Sequence, residues 1–395
     1  MGKPLIILCA LFGVILPMVD GDGAITGSSS FLASVSPKAP RSPQAYRLET
    51  KKNAPYSIPN VANAWIVKKN VFPALDGITS YVLEVYDESM RLPHWHPNAS
   101  ELGYVVSGSL EVILWRSPGE TAIFTLTAGM CWFIPQAALH SLNNIGDEKA
   151  VLLVGFSADT PQDIDLPVAF NGVPVPVRDA YTSPHTELKN FKGPLSNPLF
   201  GKAAVDPALK NLKIGSPYGF DLNAVPPLFS DPELGTVAWG IQDNWPILEN
   251  MSVLRARLKP HTARDVIWYP DVGTLYIVTQ GRGEFHLIMA DMPPQPIPVA
   301  PFDYVFIPMG MLHTFLNTSP SEDLEVVAFF NGANPLPEVS LSVSAAFFPE
   351  SIRNAALTQY GSQQLTGSPL SHLKFNTSSP YLLPINRGDK KAEKR

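Results

Sequence analysis

Residues 91–108 read RLPHWHPNASELGYVVSG, and residues 264–281 read RDVIWYPDVGTLYIVTQG. In this register Trp95 falls on Trp268, Pro97 on Pro270 and Gly108 on Gly281, each pair 173 residues apart. The offset continues outward: Glu111 falls on Glu284, Phe133-Ile134-Pro135 on Phe306-Ile307-Pro308, and Leu139-His140 on Leu312-His313. A constant offset over this distance leaves no insertion between the copies, so the chain carries one domain twice. Within a copy, residues 81–86, 102–106, 110–114, 121–126, 131–134 and 151–156 are rich in β-branched and aromatic types, as strands are. Between them stand Ser107-Gly108, Ser117-Pro118-Gly119 and Asn143-Asn144-Ile145-Gly146-Asp147, which are turn formers. Closely spaced short strands predict an all-β chain of two tandem jelly-roll barrels with a few short helices. The best helix candidate is 349–360, with Pro349 near its start and Gly361 just past its end.

The chain of 395 residues has room for two domains with their own cores. Its 45% hydrophobic and 16% charged residues mark a globular protein, and its 40 prolines suit turns and strand ends. A net charge of −6 with no basic block in the body argues against nucleic acid as a partner. Residues 1–21 have a short basic start, an apolar stretch and small residues before Asp22, the pattern of a secretory signal peptide. An apolar stretch of about 16 residues is short for a membrane span, so a secreted, extracellular protein with no membrane partner is expected, with an uncleaved anchor as the alternative. Residues 22–45 read as a flexible Ser/Pro-rich arm, 46–173 as the N-terminal barrel and 174–217 as a connection with helical hints at Asp206-Pro207-Ala208-Leu209. Residues 218–375 read as the C-terminal barrel and 376–395 as a charged, solvated tail. Loss of the leader removes Cys9, leaving Cys131 without a disulfide partner inside an apolar run, a buried strand residue.

His94 and His96 are two apart, so on a strand both side chains leave the same face. A turn at Pro97-Asn98 would bring Glu101 back to open the next strand, and His140 follows the Phe133-Ile134-Pro135 strand. Three imidazoles and a carboxylate inside a barrel suit a divalent transition metal, and on an octahedral ion they leave two positions for water or substrate. A His-x-His pair alone is commonplace on strands. Glu101, the Gly108 turn and His140 make the combination specific.

HWHPNASELGYVVSG resembles the first motif of the cupin family, and residues 129–143, with Pro135 and His140, resemble the second. The doubled arrangement is similar to oxalate decarboxylases and related bicupins, while the spacing from Pro97 to Glu101 is closer to germins. The resemblance runs over about 46–361. It implies manganese, with iron or zinc as alternatives, at His94, His96, Glu101 and His140, and a small carboxylate substrate such as oxalate, with O2 as a further reactant. The exposed faces of each copy also allow a homo-oligomer.

The second copy departs from this pattern. His94 becomes Ile267, His96 becomes Tyr269 and Glu101 becomes Thr274; only His140 persists, as His313. That barrel is expected to be metal-free, with His313 hydrogen-bonded in its interior. Arg91 recurs as Arg264, so it either binds a substrate carboxylate through paired hydrogen bonds or holds barrel geometry in both copies. The family places a glutamate proton donor on a mobile lid after the strand ending near Phe156. Here the segment is Ser157-Ala158-Asp159-Thr160-Pro161-Gln162-Asp163, leaving Asp159 and Asp163 as the candidates. Asn98, Asn250, Asn317 and Asn376 each begin an Asn-x-Ser/Thr sequon. Two functions follow: a metalloenzyme of oxalate decarboxylase or oxalate oxidase type, or a non-catalytic storage, wall-associated or ligand-binding bicupin.

Overall fold

The computed structural model describes residues 42–182, 191–203, 213–290, 292–335, 337–349, 351–353, 355–356 and 381–385. From Ser42 onward they form one compact unit of two β-barrels, each built from two antiparallel sheets. In the first barrel the larger sheet runs Gly219–Asp221, Met130–Ile134, Glu101–Ser107, Ala150–Phe156, Thr79–Val85, Ala62–Ile66, Tyr56–Ile58. The smaller runs Ile164–Asp165, Ser89–Trp95, Leu139–Asn144, Ser109–Ser117, Glu120–Thr127, with Phe200–Lys202 also paired to Ser89–Trp95. The second barrel repeats the order. Arg47–Glu49, Asp303–Ile307, Thr274–Gln280, Leu324–Phe330, Ser252–Leu258, Gly235–Gly240 and Phe229–Asp231 form its larger sheet. Pro296–Val299, Gly283–Ile288, Leu312–Asn317, Thr262–Arg264 and Leu382–Pro384 form its smaller one, which Ile267–Trp268 and Val339–Ser340 extend.

Strand alternation sorts the side chains of the first larger sheet between two cores. Tyr81, Leu83, Val105, Trp132, Ile134, Leu152, Val154 and Phe156 turn into the barrel. Their neighbours Val82, Leu102, Tyr104, Cys131, Phe133 and Leu153 turn outward into a core shared with the second barrel. A strand buried on both faces has no polar alternation, and Leu324–Phe330, reading LEVVAFF, is buried throughout. Cys131 is free and buried, as its apolar setting predicts. The turn after Leu139–Asn144 is built alike in both copies: Asn144 Nδ2 donates to Val85 O and Glu148 O, and Asn317 Nδ2 to Leu258 O and Glu322 O. The sequon asparagine Asn317 is therefore a buried turn clamp.

The domain limits drawn from sequence need correction, because each copy lends a strand to the other. Leu48 pairs with Tyr304 in the second barrel, and Phe220 pairs with Cys131 in the first. The end of the presumed arm is ordered, with Ser42 capping the 3-10 turn Pro43–Tyr46 and Tyr46 buried. The presumed connection supplies Phe200–Lys202 to the first barrel, and the presumed tail supplies Leu382–Pro384 to the second. Short helices Leu166–Gly172 and Val175–Thr182 follow the last strand of the first barrel, and Leu341–Phe347 stands at the matching place in the second. Of the helix expected at 349–360, residues 351–353 and 355–356 are helical; its end, the 206–209 hint and residues 1–41 lie outside the described residues. Among the described residues no helix is long and apolar enough to cross a membrane.

Candidate metal centre

His94 lies on Ser89–Trp95 directly opposite His140 on Leu139–Asn144, so the smaller sheet sets two imidazoles side by side and His96 follows at the strand end. The chain then turns at Pro97-Asn98 and Glu101 opens the facing sheet. All four groups are at most 2% exposed, and their ligand atoms lie within 4.8 Å of one another.

The hydrogen bonds behind each ring decide which nitrogen faces inward. His94 donates through Nδ1 to Leu92 O at 2.7 Å, His140 to Ala138 O at 2.9 Å and His96 to Gln162 O at 2.9 Å. A carbonyl can only accept, so Nδ1 of each ring carries a proton and Nε2 is the nitrogen left to face inward. The Nε2 atoms of His96 and His140 stand 3.0 and 3.1 Å from Glu101 Oε2. Ring nitrogens and a carboxylate at that range are held together by a cation between them, a proton or a metal ion. Burial, then the Arg91 charge and the other two imidazoles, push His94 well below its ordinary value, which keeps it neutral and able to ligate. Burial alone would raise the Glu101 carboxyl, but the His140 and His96 imidazoles outweigh it and hold the group ionised.

Glu101 is fixed from behind as well. Trp132 Nε1 donates to its Oε1 at 2.7 Å, which leaves Oε2 turned toward the His96 and His140 rings. Trp132 reaches it only because its cross-strand partner is Gly103: a Cβ there would sit 1.9 Å from Trp132 Cζ2. In the second copy the two sizes are exchanged, with Tyr276 at the glycine and Val305 at the tryptophan. The Tyr276 hydroxyl then meets His313 Nε2 at 2.9 Å while Nδ1 of that ring donates to Met311 O. Ile267 is buried, Tyr269 donates to Glu338, and the buried Thr274 hydroxyl has no protein partner. The expected interior histidine is in place, and the residues around it offer no ligand set.

A cavity of about 20 Å³ adjoins the centre, walled by Tyr81, Arg91, Val154, Phe156, Asp163 and Phe200 among others. That is room for about one water. Arg91 is already engaged: Nη1 donates to Asp165 Oδ1 at 2.7 Å and Leu199 O at 2.8 Å, and Nη2 to Asp163 Oδ1 at 3.2 Å. Arg264 makes the same pattern of bonds, to Glu338 and to Tyr381 O. Because Leu199 precedes the strand paired at Arg91 and Tyr381 the strand paired at Arg264, both arginines clamp the returning chain. This decides the sequence alternative in favour of geometry, although Arg91 also forms cavity wall.

The two aspartates part company. Asp163 lines the cavity, 3.4 Å from His96 Nδ1. Asp159 is absent from its wall and ion-paired with Lys69 at 2.8 Å; although burial opposes it, hydrogen bonds from Lys69 and Thr160 hold its carboxyl below the usual range. Asp159 is therefore a poor proton donor, and this candidate is corrected. Sequence reasoning missed Trp132, Gly103, Tyr81 and Asp165. The signal for the first two was the reversed large–small pair between copies.

The sequence pattern of the family described as Cupin matches residues 49–180. A probable oxalate decarboxylase of Arthroderma benhamiae is 24% identical over 312 residues, 74% of each chain. Germin-like protein 1 of Brassica napus is 33% identical over 129 residues, 31% of this chain and 62% of its own. Among solved structures, oxalate decarboxylase from Bacillus subtilis superposes with a TM-score of 0.75 at 18% identity, covering 86% of this chain and 87% of that one, a likeness of fold. Repeat, reciprocal strands, metal-type cluster and relatives agree: the chain is a doubled barrel that matches the Cupin family over residues 49–180 and is similar to oxalate decarboxylases and germin-like proteins.

Proposed function

We propose that this protein is a secreted metalloenzyme that holds manganese at His94, His96, Glu101 and His140 and acts on a small dicarboxylate, with oxalate the first candidate. One observation carries the reading: three imidazole Nε2 atoms and a carboxylate oxygen, each fixed from behind, converge beside a buried cavity. The mixed nitrogen and oxygen set suits manganese or iron, and zinc less well. A bound ion would supply Lewis-acid polarisation of the substrate carboxylate. The chain's own groups do the rest. Val154, Leu142 and Phe156 keep bulk water out, and the Arg91–Asp163 pair supplies charge at the wall.

Decarboxylation of singly protonated oxalate breaks the C–C bond, releases CO2 and leaves the electron pair on carbon, which takes a proton while the remaining carboxyl releases its own, giving formate. Apart from Glu101, Asp163 is the carboxyl on the cavity wall, but Arg91 holds it as an ion pair. Oxidation passes two electrons to O2, gives two CO2 and hydrogen peroxide, and needs no proton delivered to carbon. The oxidase outcome therefore asks less rearrangement of these residues. A second reading, a non-catalytic ligand-binding or storage bicupin, is favoured by the size of the cavity and the tight anchoring of residues 157–163. Elemental analysis joined to an oxalate assay tests all three. About one manganese per chain with peroxide release is expected; formate would move the assignment to decarboxylase through Asp163, and neither product from fully loaded protein would favour the second reading.

A further inference from the structure

Tyr81 lies on Thr79–Val85, paired with Val154 and Ile66, with its side chain inside the first barrel. Its ring packs on Phe156 at 4.7 Å between centroids, and Phe156 in turn stands edge-on to His96 at 4.8 Å. The residue is 5% exposed and lines the cavity beside the metal-type cluster. Its hydroxyl is fully buried, and no protein group donates to it or accepts from it. A buried hydroxyl without a partner is costly, and such groups are few in folded proteins. Phenylalanine would pack the same ring without that cost. The copy that lacks the ligand set carries Leu254 at this position, so the fold does not require a phenol there. Arg91, the obvious anion receptor, is engaged by Asp163, Asp165 and Leu199 O.

We propose that Tyr81 is the substrate-binding residue of the site, donating its hydroxyl hydrogen to a carboxylate oxygen of the small acid held there. The proposal rests on the carboxylate reading above and adds the group that recognises the anion. A neutral phenol is a directional donor that leaves the charge of the site unchanged. With an ionised acceptor, such a bond is roughly twice as strong as one between neutral groups.

The test compares wild type, Tyr81→Phe and Tyr81→Leu as full-length, manganese-loaded proteins, by elemental analysis, thermal unfolding and calorimetric titration with oxalate. The expectation is unchanged metal content and an unfolding temperature at or above wild type for Tyr81→Phe, with oxalate affinity reduced about tenfold or more. Tyr81→Leu should lose affinity at least as far. If Tyr81→Phe binds oxalate like the wild type, or loses several degrees of stability, the hydroxyl has another role and the proposal falls. If metal-loaded wild type itself binds no oxalate, the carboxylate reading fails first, an outcome visible without any variant.

Discussion

What holds the far oxygen of a ligand carboxylate decides where the near one points. Trp132 holds Glu101 Oε1, and Gly103 makes the room. Gly103→Ala should therefore leave the four ligands in sequence and weaken metal binding about 10–100-fold, the range for lost outer-shell support; competition titration with a chelator measures it. His96→Ala should abolish binding, while His313→Ala should leave the metal content unchanged. His313 instead governs acid stability. Burial pushes it down to about 4, against about 6.5 in an unfolded chain. Between those values the unfolded state holds a proton that the folded state lacks, so stability is full above about pH 6.5 and declines as pH falls toward 4, by up to about 3 kcal/mol. His313→Gln keeps an acceptor for Tyr276 and should flatten the profile, as urea unfolding at pH 7 and pH 4.5 would show. That His94, His96, Glu101 and His140 would come together was legible because residue type and spacing suggested it. Trp132, Gly103 and Tyr81 were not, because their roles exist only across strands whose register the sequence does not state.

At the scale of elements, residues 157–163 and the strands around the centre matter most. Asn98 bridges the segment at both ends, its Nδ2 donating to Thr160 O and its Oδ1 accepting from Gln162 N. Lys68 Nζ holds Pro161 O, and Ser100 and Ser157 exchange bonds. Gln162 O is also the acceptor behind His96, so the segment positions a ligand while closing the site. Asn98→Ala should raise hydrogen exchange in 157–163 by about tenfold, equal to about 1.4 kcal/mol of lost local protection, and leave the barrel strands unchanged. Mass-spectrometric exchange reads this directly; an unchanged segment would mean that Lys68 and the serines suffice. The exchanged sizes at Gly103/Tyr276 and Trp132/Val305 set a second condition. Ile267→His, Tyr269→His and Thr274→Glu alone should not create a metal site, because Tyr276 occupies the interior; Tyr276→Gly and Val305→Trp are needed as well. The strands were readable from their β-branched and aromatic residues. Leu166–Gly172 and Leu341–Phe347 were not, since neither helix buries a residue and so carries no core stripe to read.

For the whole molecule, the 173-residue offset announced two copies, yet gave no sign that each copy would complete the other's sheet. Exchange pairs residues far apart in sequence, and the lent strands are three residues long, too short to show a pattern. The result is a fused pseudo-dimer in which the second barrel, lacking the ligand set, covers a face of the first. Val82, Leu102, Tyr104, Phe133 and Leu153 turn outward into the shared core. Each buries about 1.5–3 kcal/mol of side chain, together comparable with the whole stability of about 5–15 kcal/mol expected of a domain. A chain ending at Pro217 keeps all four ligands but uncovers that face and the edge of Met130–Ile134, which Gly219–Asp221 protects. It should aggregate, and should hold well under one metal per chain. Extending it to Pro226 restores the edge strand and leaves the apolar face bare, so little recovery is expected; supplying residues 213–395 as a separate chain should restore solubility and metal together. Light scattering on a sizing column, with metal analysis of the peak, decides the matter. A truncated first barrel found monomeric and fully loaded would show that the second barrel has been kept for some other task.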